Sequence, residues 1–159
     1  MLQKFLQLFI CSNNLRNFDD IKKDGFPKKQ VLTLSKEIKT ALIVDDETYI
    51  REVISEVLEM WDIDSIEAED GPTAIRLSNE HKNKIDIVFL DLNLPQMSGT
   101  EIYQKINGII EQNPLFVFIS GYDEESVKSE LPQSGRFVFL KKPFTITSIQ
   151  KIIEQFSQN

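Results

Sequence analysis

The chain has 159 residues, of which 41% are hydrophobic, and a formal net charge of −7. This length predicts one domain with enough apolar material for a single core. The negative charge argues against a general binder of nucleic acid or of membrane surfaces. The lone cysteine, Cys11, cannot form an internal disulfide, and no apolar run reaches the roughly 20 residues that cross a bilayer. We therefore expect a cytoplasmic protein with no nucleic-acid and no membrane partner.

The charge is unevenly distributed along the chain. Residues 1–39 hold 8 Lys/Arg and 4 Asp/Glu, a net of +4, whereas residues 40–159 hold 10 and 21, a net of −11. This change predicts an N-terminal extension over 1–39, flexible or loosely docked, ahead of a domain over 40–159. Residues 1–12 contain a short apolar run that Gln7 interrupts and that no small-residue cleavage site follows, which argues against a secretion signal.

From residue 40 onward, short apolar runs alternate with segments whose apolar residues recur at helical spacing. The runs predict five strands, over 41–44, 63–67, 85–90, 115–119 and 137–140. The segments between and after them predict five helices, over 48–61, from Asp70 onward, and over 99–110, 123–131 and 145–156. In the first helix, the apolar spacing places Arg51 and Glu52 on the solvated face. The alternation is typical of a doubly wound α/β domain, a parallel sheet with helices on both faces.

Polar residues follow the ends of four predicted strands. They are Asp45, Asp46 and Glu47 after the first strand, Asp91 after the third, Ser120–Gly121 after the fourth, and Lys142–Pro143 after the fifth. Because the carboxyl ends of parallel strands share one edge of the sheet, where ligands bind, we expect these side chains to gather in one site. Each motif alone also has a plainer interpretation, such as Asp45 capping a helix or Lys142 lying in a surface loop.

The combination of these side chains indicates phosphoryl chemistry. Carboxylates held close together repel one another, so one of them would take up a proton unless a cation neutralises the group. A hard divalent ion such as Mg²⁺ relieves this repulsion and brings phosphate oxygens with it. Lys142 offers a positive charge and Ser120 a hydroxyl donor to a phosphoryl oxygen. In such a site a carboxylate can attack phosphorus, helped mainly by charge stabilisation and positioning.

Four segments resemble the signature motifs of response-regulator receiver domains, in the same order and at similar spacing. They are residues 42–47, 91–99, 120–121 and 142–144, and the likeness extends over residues 40–156. The resemblance implies a flavodoxin-like, five-stranded parallel sheet with strand order 2-1-3-4-5. It also implies a role in two-component signalling. Since only three residues follow Phe156, we expect a stand-alone receiver domain without an output domain.

The resemblance assigns the acidic residues to specific roles. Asp91 would be the phospho-acceptor. Asp46 and Asp91 would bind Mg²⁺ directly, together with the backbone carbonyl of Asn93, and Asp45 would act mainly through a bound water. These four residues are the predicted metal site.

Other residues would surround the phosphoryl group. Lys142, whose bond to the following proline is expected to be cis, would contact its oxygens, and so would Ser120. Ser120 and Phe139 would form the conformational switch, with Phe139 in place of a frequent Tyr. Asn93 and Tyr122 would flank the path of an attacking water.

The resemblance further implies the partners. A sensor histidine kinase or a histidine phosphotransfer protein would donate the phosphoryl group, and the domain would signal by protein contact or onward transfer, not as an enzyme. The face of helix four, strand five and helix five would bind the output partner. Two alternatives remain open. One is a phosphorylation-independent interaction module of the same fold. The other is a haloacid-dehalogenase-like phosphatase, whose Asp-x-Asp-x-Thr pattern residues 45–49 do not match.

Overall fold

The computed structural model describes residues 38–129, 131–132 and 135–157, in which five strands and five helices alternate, as predicted. The strands are β1 (Thr40–Val44), β2 (Asp64–Ala68), β3 (Ile87–Asp91), β4 (Leu115–Ser120) and β5 (Phe137–Lys141). The helices are α1 (Thr48–Glu59), α2 (Gly71–Glu80), α3 (Gly99–Ile106), α4 (Glu124–Val127) and α5 (Ile146–Ser157). The predicted extension over 1–39 lies outside the described residues, except for its last two.

All neighbouring strands run parallel, in the order β2-β1-β3-β4-β5. This confirms the doubly wound, flavodoxin-like sheet. The three inner strands β1, β3 and β4 are buried almost throughout, because their runs of Leu, Ile, Val and Phe face helices on both sides of the sheet. The register places Val44 beside Leu90 and Leu90 beside Phe118, so the inner strands end close together at one edge.

The core consists of two apolar layers, one on each face of the sheet. On one face, α1 and α5 contribute side chains such as Ile54 and Ile153, which share a layer with Ile43. On the other face, α2, α3 and α4 contribute side chains such as Ile102, which share a layer with Leu42. Leu42 and Ile43 serve different layers because successive strand residues point to opposite faces. Among the residues that the structure describes, no helix has the length and apolar character needed to cross a bilayer.

Two helices depart from their predicted lengths by more than two residues. The α3 helix ends at Ile106 instead of residue 110, and α4 is a single short turn instead of a helix over 123–131. Of the four residues of α4 only Val127 is buried, and Asp123 ahead of it makes no side-chain capping hydrogen bond. Helices in proteins are stabilised mainly by packing an apolar face, and among its described residues the predicted segment buries only Val127 and Leu131, so it forms little regular helix.

The start of β1 is anchored to the residue just before β3. The Asp86 carboxylate accepts hydrogen bonds from the N–H groups of Lys39 at 2.9 Å and Thr40 at 3.3 Å. Ile38 is 6% exposed and belongs to the layer of α1 and α5. Ile38 and Lys39 therefore belong to the folded unit, although the charge pattern assigned them to the extension.

We expect a shortened chain that begins at Ile38 to fold with nearly the same unfolding midpoint as the full chain, because it keeps all of these contacts. A matched chain that begins at Ala41 should be less stable by about 2 kcal/mol, from the lost burial of one Ile side chain alone. Thermal unfolding followed by circular dichroism measures both. Failure of the chain that begins at Ile38 to fold would contradict the prediction.

Candidate functional site

The carboxylates predicted to gather do so at the carboxyl edge of the sheet. Because Val44 pairs with Leu90, the next residues along the two strands, Asp45 and Asp91, lie side by side. One oxygen from each of Asp45, Asp46 and Asp91 lies within 4.8 Å of the other two. Asp45 and Asp91 are buried, whereas Asp46 is exposed. The site is therefore open to solvent on one side and embedded in the fold on the other.

The predicted lysine lies among these carboxylates. Its Nζ donates hydrogen bonds to Asp91 Oδ2 at 2.6 Å, to Asp45 Oδ2 at 2.9 Å and to Glu47 Oε1 at 3.1 Å. The N–H of Lys142 donates to the carbonyl of Ser120 at 2.7 Å, which ties the loop after β5 to the end of β4. The peptide bond from Lys142 to the following proline is cis, as the resemblance implied. The ammonium thus lies where an incoming phosphoryl oxygen would meet a positive charge.

Burial and charge shift two pKa values in this site. Burial raises the pKa of Asp45 from 3.8 to about 6, although hydrogen bonds from Lys142 and the N–H of Glu47 oppose the shift. Burial also opposes the charged form of Lys142, but hydrogen bonds and charges from Asp91 and Asp45 outweigh it and raise the pKa of Lys142. The ammonium is therefore charged at neutral pH. Asp45 carries its negative charge there at a cost that a cation would relieve.

The predicted hydroxyl lies at the last residue of β4, where Ser120 is fully buried. Its Oγ accepts hydrogen bonds from the N–H of Tyr122 at 3.1 Å and from Asn93 Nδ2 at 3.3 Å. The N–H of Asn93 donates to Asp91 Oδ1 at 2.8 Å, which connects this network to the carboxylate. Both bonds to Ser120 use its oxygen as an acceptor, so the hydroxyl hydrogen is available to donate to a phosphoryl oxygen.

Phe139, the predicted switch aromatic, lies away from these polar contacts. It is half-buried on β5, pairs in register with Phe118 of β4 and packs in the layer formed by α2, α3 and α4. The structure gives one position of this ring, so its switching role stays a prediction.

Two residues near the site were not given a role by the sequence. Glu47 supplies the third acceptor for Lys142. Gly99 begins α3 directly against the end of β3, where a Cβ atom would lie 2.3 Å from the Asp91 carbonyl oxygen. A side chain at this position would push α3 away from Asp91, which explains the glycine at the end of the motif over 91–99.

The predicted exposure of Arg51 is wrong. The side chain is buried in the structure, and its Nη1 donates to the carbonyl oxygen of Asp45 at 2.7 Å. A signal for this position was present in the sequence, because Arg51 precedes the buried Ile54 by three residues and the buried Leu58 by seven, a spacing that places all three on one side of a helix. The helical pattern gives a position on the helix, but not the polar partner that makes burial of a charge tolerable.

The donor set fits a hard divalent cation. Three carboxylates offer oxygen ligands, the type that Mg²⁺ prefers, and burial, which raises the pKa of Asp45, makes its negative charge costly without a cation nearby. Asp45, Asp46 and Asp91 would hold the ion between them. The backbone carbonyl of Asn93 as a further ligand stays a prediction.

Comparison with known proteins decides the family. A model of the response regulator receiver domain matches residues 41–154. The chain belongs to this family. As a receiver domain it is a phospho-accepting component of two-component signalling, as the motifs implied, and the assignment gives no support to the phosphatase alternative.

Curated relatives of the receiver domain differ in length. Sporulation initiation phosphotransferase F of Bacillus subtilis is 29% identical over 115 residues, which cover 72% of this chain and 90% of that protein. A cyclic di-GMP phosphodiesterase of Thermotoga maritima is 31% identical over 120 residues, which cover 76% of this chain and 31% of that protein. An uncharacterised response regulatory protein of Vibrio vulnificus is 31% identical over 121 residues, which cover 75% of this chain and 48% of that protein. The chain thus spans less than half of the phosphodiesterase and of the Vibrio vulnificus protein.

Solved structures share the receiver fold. A CheY-like receiver domain from Methylobacillus flagellatus is 29% identical with a TM-score of 0.63, and the match covers 76% of this chain and 99% of that one. The receiver domain of the hybrid histidine kinase CckA is 28% identical with a TM-score of 0.64, and the match covers 75% of this chain and 99% of that one. A chain of the CheX–CheY–BeF₃–Mg²⁺ complex from Borrelia burgdorferi is 27% identical with a TM-score of 0.65, and the match covers 74% of this chain and 89% of that one.

Proposed function

We propose that Asp91 is the phospho-accepting residue of this receiver domain and that its donor is the phosphohistidine of a sensor histidine kinase or a histidine phosphotransfer protein. The observation that carries the proposal is the contact of 2.6 Å between Asp91 Oδ2 and Lys142 Nζ at the end of the middle strand. A carboxylate there faces the edge at which ligands reach a parallel sheet. The ammonium of Lys142 and the carboxylates of Asp45 and Asp46 lie beside it.

In the proposed transfer, an Asp91 carboxylate oxygen attacks phosphorus while the P–N bond to the donor histidine breaks and its electron pair returns to the imidazole. Lys142 would transfer its contacts from the carboxylates to a phosphoryl oxygen, and Ser120 would donate its hydroxyl hydrogen to another. These contacts stabilise the charge on the transferring oxygens, which is the main source of catalysis in phosphoryl transfer.

The proposed cofactor is Mg²⁺, held by Asp46, Asp91 and the backbone carbonyl of Asn93, with Asp45 acting mainly through a bound water. When bound, the ion would supply positive charge that offsets the carboxylates and the incoming phosphate. The burial of Asp45 and Asp91 supports this assignment, because two buried anions this close need such compensation.

Acetyl phosphate tests the proposed function without a partner protein. With Mg²⁺ present, intact-mass spectrometry should show one added phosphoryl group on the full chain, and chelation of the metal with EDTA should prevent the addition. The alternative, an interaction module that works without phosphorylation, predicts no added mass under either condition. An unchanged mass with Mg²⁺ present would favour that alternative.

The proposed output is a change in protein contacts or onward phosphotransfer, without turnover of a substrate, and the proposed output surface is the face of α4, β5 and α5. The α4 helix buries only Val127, so little packing holds it. Lys141, at the end of β5, forms an ion pair with Asp123, just ahead of α4. A phosphoryl group that draws Ser120 toward it would act on this segment, since Ser120 ends the preceding strand.

Beryllofluoride with Mg²⁺ should therefore change amide hydrogen exchange in residues 121–141. The expected reason is that the segment around α4 has low local stability and responds first to a shift of Ser120. The Asp91→Asn variant serves as the control, because it lacks the carboxylate to which beryllofluoride would bind. Protection changes confined to residues 48–80 would contradict the proposed output surface.

The residue at position 122 should control how long the phosphoryl group persists. Tyr122 is held beside the site by the hydrogen bond from its N–H to Ser120 Oγ, and it is 62% exposed. Its ring is expected to shield phosphorus from the water that would hydrolyse the bond between phosphorus and the Asp91 oxygen. Its hydroxyl lies too far from the backbone to orient that water. We therefore expect phospho-Asp91 to last for minutes or longer.

The Tyr122→Glu variant should lose its phosphoryl group faster by about 5- to 30-fold, which corresponds to about 1–2 kcal/mol of barrier. The Tyr122→Phe variant is the matched control, since it keeps the ring and should keep the lifetime. Decay is followed by intact mass after removal of acetyl phosphate. A half-life of seconds in the unaltered chain, or no acceleration in Tyr122→Glu, would rule out shielding.

A further inference from the structure

A buried guanidinium contacts the loop that carries the metal-binding carboxylates. Arg51 lies in the first turn of α1 and is 8% exposed, and no other Lys, Arg or His among the described residues is buried. A buried charge is costly unless it is paired and hydrogen-bonded. The partners of Arg51 therefore show which part of the fold it holds.

The three guanidinium nitrogens each have an acceptor. Nη1 donates to the carbonyl oxygen of Asp45 at 2.7 Å, Nε to Glu67 Oε2 at 3.3 Å and Nη2 to Thr48 Oγ1 at 3.2 Å. The side chain thus joins the start of α1 to the end of β1 and to β2. The planar fork of Arg makes such a set of contacts, whereas a Lys at this position would offer a single point charge.

The shortest of these contacts is to the peptide group that links Asp45 to Asp46. Because a peptide group is planar, a bond that fixes the Asp45 carbonyl also fixes the direction in which Asp46 leaves it. The N–H of Asp45 donates to the carbonyl of Ala68 at 3.2 Å, and the N–H of Glu47 donates to Asp45 Oδ1 at 2.9 Å. Asp46 is exposed, so packing does little to place its carboxylate.

We propose that Arg51 is a positioning residue that fixes the Asp45–Asp46 peptide group and so presets the spacing of the carboxylates that hold the divalent cation. This inference rests on the proposed function, since it concerns the same site. Arg51 acts through the backbone and touches neither the cation nor the phosphoryl group. Glu67 orients the guanidinium by accepting from its Nε.

A purely structural role for Arg51 makes a different prediction. In that role, its hydrogen bonds and its ion pair with Glu67 would only hold α1 against β1 and β2. Loss of Arg51 would then lower the unfolding midpoint but leave the Mg²⁺ affinity of the folded protein unchanged. The affinity for the metal alone therefore separates the two roles.

The test is a titration of the full chain with Mg²⁺ alone, followed by the NMR amide signals of Asp46 and Glu47. The Arg51→Gln variant should have an Mg²⁺ Kd raised about tenfold, as is common when a group that orients metal ligands is lost. The Arg51→Lys variant should show a smaller rise, about threefold, because it keeps the charge but not the fork. In the metal-free Arg51→Gln variant, the Glu47 amide should exchange faster with solvent.

Arg76→Gln is the matched control. Arg76 lies on the exposed face of α2 and pairs with Glu80 at 2.9 Å, so its loss should leave the Mg²⁺ Kd unchanged. A Kd for folded Arg51→Gln within about twofold of the unaltered chain would overturn the proposal. If Arg51→Gln does not fold, Arg51→Lys decides: an unchanged Kd overturns the proposal and a raised Kd supports it. If the unaltered chain binds no Mg²⁺, the proposed function itself fails, which distinguishes the two failures.

Discussion

The Asp91→Asn variant should take up no phosphoryl group from acetyl phosphate, while the unaltered chain takes up one. The amide oxygen of Asn is a poor nucleophile, so the reacting group is lost. Asn keeps the shape of the side chain and one acceptor oxygen, so one of the two contacts of Asp91 in the structure, with Lys142 Nζ or with the N–H of Asn93, is retained. We therefore expect the fold to survive and the labelling to disappear, as measured by intact mass in the presence of Mg²⁺.

Asp86 provides a matched control for this variant. It is also a buried aspartate and lies immediately before β3, whereas Asp91 ends the strand. It accepts hydrogen bonds from the N–H groups of Lys39 and Thr40, at the opposite end of β3 from Asp91. Asp86→Asn should lower the stability, since an amide oxygen is a weaker acceptor than a carboxylate. It should still be phosphorylated once, whereas labelling that survives in Asp91→Asn would remove Asp91 as the acceptor.

Replacing Lys142 with Met should slow phosphorylation by about 10²–10³-fold at saturating Mg²⁺, the range seen when one fixed donor to the transition-state charge is removed. Its ammonium contacts three carboxylates and is the only described cationic group in contact with Asp91. Met keeps a similar length and apolar stem, so the change removes mainly the charge. Rates of mass gain with acetyl phosphate give the comparison.

The neighbouring lysine controls for a general loss of positive charge. Lys141 differs from Lys142 by one position, but its side chain pairs with Asp123 on the surface. Lys141→Met should be phosphorylated at nearly the rate of the unaltered chain. If both variants slowed equally, or if Lys142→Met kept its rate, the proposed contact between Lys142 and the transferring phosphoryl group would be incorrect.

The site could be predicted well from sequence because strand ends position it. Asp45 and Asp91 each follow directly on an apolar run, and parallel strands end on one edge, so their proximity follows from the pattern. The Lys142 contacts follow in the same way from its place after β5. The strand order did not follow from the pattern, since alternating strands and helices fit several parallel orders. It came from the resemblance of the motifs and is confirmed by the four strand pairings of the sheet.

Contacts between a side chain and the backbone of another element could not be read from the sequence. The apolar spacing of the first helix predicted a solvated face for Arg51, as is usual for a charge on an amphipathic helix. Its burial depends on a carbonyl of the preceding loop and on Glu67, sixteen residues away. The length of α4 was predicted wrongly for a different reason. A polar segment gives no periodic apolar pattern from which the end of a helix can be fixed.

Locating the phosphoryl group within the chain tests the central claim most directly. Borohydride reduces an aspartyl phosphate to a stable alcohol, and mass spectrometry of the resulting peptides identifies the modified residue. After treatment with acetyl phosphate we predict reduction at Asp91 when Mg²⁺ is present and none when EDTA is added. Modification at Asp45, at Asp46 or at any residue outside the carboxylate site, with Asp91 unmodified, would contradict the account.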